Sequence, residues 1–213
     1  DRDGRMDIVA LLSQHYEQVV WFRNEGNLRF SRRVLYQAPH PAWGYSGMEV
    51  VDFDGDGDLD LLLSNGDSLD DDVIKPYHGV AWLDNDGKGN GKDSFVYRHL
   101  AALPGCQRAV ARDVDGDGDL DVVAVSFLPQ LAPDAWKKHD LTSVLWLERD
   151  GNRWQPHAVE KHRCIHPTVD VGDLTGDGRS EIVVGNYVFI AEGGATLTPA
   201  EFISVFVRRV PAK

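Results

Sequence analysis

Asp52-Phe-Asp-Gly-Asp-Gly-Asp-Leu-Asp60, preceded by Met48-Glu-Val-Val51 and followed by Leu61-Leu-Leu-Ser64, fixes the fold expected of this chain. Asp52, Asp54, Asp56 and Asp60 take the first, third, fifth and ninth places of one loop. Carboxylates packed this tightly repel one another unless a cation sits among them. Gly57 stands at the sixth place, where the turn is sharpest, and the Asp58 carbonyl falls at the seventh. Oxygen donors at those places suit Ca2+, which takes roughly six to eight oxygens in flexible geometry. The flanking segments, rich in Val and Leu and bounded by Asp-Gly turns, predict strands.

The motif returns. Asp113, Asp115, Asp117 and Asp121, with Gly118 and the Asp119 carbonyl, form an equally complete loop. A further copy has Asp173, Thr175, Asp177 and Glu181 with the Arg179 carbonyl; its hydroxyl and longer acid carry less charge and predict weaker binding. The first copy has Asp1, Asp3 and Asp7 with the Arg5 carbonyl but no residue for the first place, so its site is expected to be incomplete. The sixth-place glycines, Gly4, Gly57, Gly118 and Gly178, are spaced by 53, 61 and 60 residues. An aromatic marker, Trp21, Trp82, Trp146 and Phe206, keeps step at 61, 64 and 60. Two markers in register point to a duplicated unit.

Each unit predicts four strands, A to D, with the acidic loop between A and B. Such units, repeated about every 60 residues, form an all-β chain of β-propeller blades, four-stranded and antiparallel. The expected blades span 1–39 (partial), 44–102, 105–160 and 165–213 (partial), about three and a half in all, within a single propeller segment over 1–213. A helical EF-hand does not fit. Its twelfth place needs a Glu, and Leu63, Ala124 and Val184 stand there.

Charge supports the same picture. The chain of 213 residues carries a net −12, yet 16 of its 34 acids lie in the four loops, leaving 18 against 22 Lys and Arg. The acidity is local, and nothing suggests a nucleic-acid partner. No apolar run approaches the roughly 18 residues of a membrane span. Cys106 and Cys164 precede neighbouring A strands; buried thiols are the default expectation, and a disulfide is left open. Trp21, Trp82 and Trp146 share one place in strand C and are expected in the core.

Asp-x-Asp-Gly-Asp-Gly-x-x-Asp followed by an apolar strand resembles the FG-GAP or VCBS repeat family, whose calcium-loop blades also occur in integrin α-subunit propellers. That resemblance implies a ring of roughly seven or eight blades, with the remaining blades as partners of those present. Trp43-Gly-Tyr-Ser-Gly-Met48 and Lys75-Pro-Tyr-His-Gly79 resemble large secreted bacterial VCBS proteins, some of them fused to or encoded near c-type cytochromes.

A secreted, non-catalytic calcium-binding module for binding or scaffolding is therefore expected, extracellular or periplasmic, where calcium is plentiful. No nucleophile elbow, P-loop or dinucleotide fingerprint occurs. Two alternatives stand beside it: a structural subunit of a multihaem c-type cytochrome or other extracellular redox assembly, and a carbohydrate-binding lectin. A haem band in the purified complex would mark the first and glycan-array binding the second. The partner, protein or glycan, is expected on the face opposite the calcium loops. There the long connections 65–78, 127–142 and 186–201 gather, and they offer Tyr77, His78 and Trp136 as contact residues.

Overall fold

A computed structural model describes residues 1–87, 95–187 and 202–207. Among these residues fourteen strands form four antiparallel sheets, none closed on itself. The first sheet holds β1 (Ile8–Leu12), β2 (Gln18–Gly26) and β3 (Arg29–Gln37). The second holds β4 (Tyr45–Val51), β5 (Asp60–Asn65), β6 (Gly79–Asn85) and β7 (Phe95–Ala102). The third holds β8 (Cys106–Arg112), β9 (Asp121–Ser126), β10 (Thr142–Asp150) and β11 (Arg153–Lys161). The fourth holds β12 (Thr168–Gly172), β13 (Glu181–Gly185) and β14 (Ile203–Phe206). Strands follow chain order within every sheet, each pairing with the one before it in sequence.

Burial on both faces of each inner sheet explains the unbroken apolar runs after the acidic loops. In β5, Leu61 and Leu63 pack toward the first sheet with Val19, Trp21 and Leu35, while Leu62 turns the other way to meet Ala109, Val122 and Leu145 of the third. Val123 and Val125 repeat this against Val169, Ile182 and Val184 of the fourth sheet. Each such side chain contributes about 1.5–3 kcal/mol by leaving water. Consecutive sheets thus stack face to face in a propeller-like arrangement, with β8 against β4 and β5 on one side and β12 on the other. Arg112 stitches these inner strands together, reaching Glu49 of β4 at 2.6 Å and Asp170 of β12 at 3.2 Å.

Side chains just before β2 and β6 lock the next sheet in place. Glu17, 2% exposed, accepts the Tyr45 amide at 3.0 Å, and burial raises its carboxyl above the usual range. His78 takes the equivalent place before β6 and accepts the Gly105 amide on Nδ1 at 3.4 Å.

Two expectations need correction, and one open alternative closes. The fourth member of the tryptophan series is Val205, not Phe206: Trp21, Trp82 and Trp146 pair with Val9, Leu62 and Val123, each two residues past the ninth-place acid, and Val205 pairs with the corresponding Val183. A short helix, α1 (Pro133–Lys138), interrupts the connection from β9 to β10, with Pro133 at its start, Asp134 in its first turn and Lys137 and Lys138 in its last. Cys106 and Cys164 are both buried free thiols, which closes the disulfide alternative. Of the expected connection 186–201, residues 188–201 lie outside the described residues.

Candidate metal centre

The acidic loops share one backbone. Asp52 accepts the amides of Gly55 at 2.9 Å and Gly57 at 3.0 Å; Asp113 accepts those of Gly116 and Gly118, and Asp173 those of Gly176 and Gly178. Asp54 and Asp56 each accept the amide two residues on, as do Asp115 and Asp117. These turns need left-handed residues at the fourth place as well as the sixth: φ is +77° and +90° at Gly55 and Gly57, +85° and +100° at Gly116 and Gly118. The fourth-place glycine is visible in the repeated Asp-Gly pairs, but in the EF-hand pattern only the sixth has a role.

The ninth-place acids are the best-anchored members. Asp60 is fully buried; Oδ2 accepts the Phe53 amide at 2.9 Å and Oδ1 the Asn85 amide at 2.8 Å. Asp121 accepts Val114 and Arg149 amides and the Trp146 indole at 3.0 Å. Each therefore clasps its loop to the hairpin after the third strand. Asp60 keeps one lone pair on each oxygen for a cation, and Asp121 keeps one on Oδ1, since its Oδ2 accepts both the Val114 amide and the Trp146 indole.

Oxygens of Asp52, Asp54 and Asp60 converge within 4.8 Å of one another, and so do those of Asp113, Asp115 and Asp117. Burial pushes Asp60 up to about 6, with Asp54 and Asp84 adding repulsion against the Asn85 and Phe53 amides. Burial also raises Asp121, and burial with Asp117 and Asp115 nearby raises Asp119. At the seventh place of the loop 113–121, Asp119 Oδ1 is buried without a hydrogen-bond partner. An orphaned carboxylate oxygen beside crowded carboxylates is the donor set of a hard cation, so the residues present fit Ca2+.

The outer loops differ. In the first, Arg23 Nε meets Asp1, and Arg5 Nη2 meets Asp3, so guanidinium groups already neutralise these acids. Asp7 keeps the clasp role, accepting the Asn24 amide at 2.8 Å; that amide and the Trp21 indole lower its carboxyl despite partial burial. In the fourth, Glu181 accepts the Leu174 amide, while Asp177 and Arg179 are exposed and Thr175 brings only its hydroxyl. Backbone amides of Gly178, Gly176 and Asp177 hold Asp173 below the usual carboxylate range.

Two expected contact residues on the opposite face are enclosed. His78 has no exposed surface, and burial lowers its imidazole to about 4. Trp136, 7% exposed, packs with Leu128, Leu141 and Cys164 while Ile74 leans on the same cluster. Apolar residues in both connections drive that closure, so the two segments cover each other before any partner arrives. Tyr77 is half-buried, its ring stacked on Trp43 at 5.3 Å and its hydroxyl donating to the Ala42 carbonyl at 3.0 Å.

With this geometry in hand, the comparisons agree with the resemblance. Residues 1–63 match the family described as the FG-GAP-like repeat, a stretch covering the first sheet, β4 and the loop 52–60. The match is consistent with an FG-GAP/VCBS repeat family. No curated protein matches the chain.

Proposed function

We propose that this chain is part of a calcium-stabilised β-propeller that works as a non-catalytic interaction module outside the cytoplasm. The observation that carries the reading is the pair of inner loops, each bringing three carboxylates within 4.8 Å, one of them beside the buried, unpartnered Asp119 Oδ1. Asp52, Asp54, Asp56 and Asp60 would hold one ion with the Asp58 carbonyl. Asp113, Asp115, Asp117, Asp119 and Asp121 would hold the other. Bound calcium neutralises the crowded acids; the chain's own residues shape the loops and anchor them to the sheets. The loop 173–181 is the weaker candidate, and the loop of Asp1, Asp3 and Asp7 has its arginines instead.

Further blades are supported by the outer face of the fourth sheet, whose counterpart in each earlier sheet is covered by the sheet that follows. Ile203, Val205 and Leu174 lie exposed there. For the partner surface, the connections opposite the metal loops form one consolidated platform, bearing Leu69, Asp70, Val73, Lys137 and Lys138 on its exposed side and Tyr77 at its edge. A protein partner suits this mixture of apolar groups and charges of both signs.

Calcium binding to the folded state alone stabilises it by about 2.7 kcal/mol per site at a hundredfold excess over Kd. About 1 kcal/mol moves the melting temperature of a chain this size by roughly 2–4 °C. Two occupied loops thus predict a fall of roughly 10–20 °C in excess chelator, read by differential scanning calorimetry. A melting curve indifferent to chelator and to added Ca2+ would overturn the calcium reading.

A further inference from the structure

Neighbouring metal loops touch each other through single side chains. Arg2, in the first loop, reaches the Gly57 carbonyl and Asp58, the latter at 2.7 Å. Ser180 of the last loop donates to the Asp113 carbonyl at 3.2 Å. Between the two inner loops the link is Arg149, the last residue but one of the third strand of its sheet.

Arg149 is attached to both loops at once. Its backbone amide donates to Asp121 Oδ1 at 2.8 Å, and its Nη1 donates to the Phe53 carbonyl at 2.7 Å, across 96 residues of sequence. The guanidinium lies 5.8 Å from the ring centroids of both Phe53 and Trp154, which stack on each other at 5.5 Å and 7°. Phe53 in turn gives its amide to Asp60. One residue therefore joins the clasp acid of the loop 113–121 to the second place, and through it the clasp acid, of the loop 52–60. Other ties between these two sheets, such as Arg112 to Glu49 and Ser46 to the Cys106 carbonyl, end away from the ninth-place acids.

We infer that Arg149 couples the two inner loops, so that a cation held by one raises the affinity of the other; the inference rests on the calcium reading above. The charge of Arg149 also acts on Asp119. A cation among Asp113, Asp115 and Asp117 draws Asp119 inward and screens it from the guanidinium, which is then left to its carbonyl partners, Phe53 and Gly151, the latter at 3.1 Å. Held more firmly, the Phe53 peptide keeps Asp60 and the turn after it in place, and the loop 52–60 needs less ordering when its own ion arrives. Linkage makes the effect reciprocal. Arg149 is thus a positioning residue for both loops and touches no ion itself.

The test is a calorimetric Ca2+ titration of the full chain carrying Asp173→Asn, so that only the inner loops report. Asp52→Asn with Asp54→Asn disables one loop, Asp113→Asn with Asp115→Asn the other, and each remaining loop gives its intrinsic affinity. With Arg149 present, the product of the two stepwise constants in the two-loop chain should exceed the product of the intrinsic ones about fivefold or more. With Arg149→Gln the excess should vanish, even if both affinities fall. Arg149→Met, which keeps an apolar stem between the rings, measures the same quantity should Arg149→Gln not fold. Equal products with Arg149 present, or an excess that survives both replacements, overturn the inference while leaving calcium binding intact. Single-loop chains that bind no Ca2+ overturn the calcium reading and the coupling with it.

Discussion

The loops 52–60 and 173–181 have the same turn and different surroundings. In both, the first aspartate accepts the two glycine amides, and the second-place amide donates to the ninth-place acid, Phe53 to Asp60 and Leu174 to Glu181. Phe53 is 1% exposed under Trp154 and Arg149 of the following sheet, whereas Leu174 is 61% exposed with no described sheet beyond it. The local motif therefore builds the turn unaided, and the neighbouring sheet makes a structural plug of its second residue. A metal loop in this architecture also joins one sheet to the next.

The sharpest way to break that comparison is to truncate the two plugs. Phe53→Ala should cost about 3–5 kcal/mol in urea unfolding with Ca2+ held constant, because it empties a core site shared by two sheets. Leu174→Ala should stay within about 0.5 kcal/mol, as an exposed side chain loses little. Similar losses at the two positions would show that the following sheet contributes nothing to the loop.

Much of this was legible in sequence, for a physical reason. Strands buried on both faces must be apolar throughout, so Leu61-Leu-Leu63 and Val122-Val-Ala-Val125 announce themselves, and Asp-Gly pairs mark turns that only glycine adopts cheaply. What stayed hidden depends on contacts distant in the chain. Arg149 is an ordinary strand-end residue until the Phe53 carbonyl is found beside it. His78 looks like a loop histidine until the Gly105 amide and Ser68 close over it. Trp136 carried its own signal, a proline, an acid and two lysines in helical order, but six residues are too few for periodicity to speak. Phe206 falls one residue off because a fixed step runs through a connection whose length varies from unit to unit, whereas the pairing of Val183 with Val205 is set from the loop itself.

The opposite face repeats the contrast between covered and open neighbours, at Tyr77 and His78. Burial, with Lys75 and His40 adding to it and Asp71 opposing, lowers His78 to about 4 from the usual 6.5. In the unfolded chain the imidazole takes up its proton near its ordinary value, while in the folded chain it resists until lower pH. His78 thus favours folding fully above about pH 6.5, and that contribution is lost progressively as pH falls toward 4, by on the order of 3 kcal/mol. Unfolding free energies of wild type and His78→Gln measured across this range should converge as pH falls, the wild type losing more. Parallel pH profiles would mean that the imidazole is open to water, as an exposed contact residue would be.

The smallest effect tests the half of the comparison that should not differ. Gly118 and Gly178 hold φ at +100° and +81°, and a Cβ built on either meets no atom within 4 Å. Alanine at either place therefore pays only for the left-handed backbone, about 1 kcal/mol, with no clash to separate a covered loop from an open one. Gly118→Ala and Gly178→Ala should lower the unfolding free energy by the same amount in excess chelator, even though Phe53→Ala and Leu174→Ala differ severalfold. If Gly118→Ala instead costs several times more than Gly178→Ala, the turn in the covered loop is shaped by the neighbouring sheets, and its identity with the open loop is a product of packing and not of the Asp-Gly sequence.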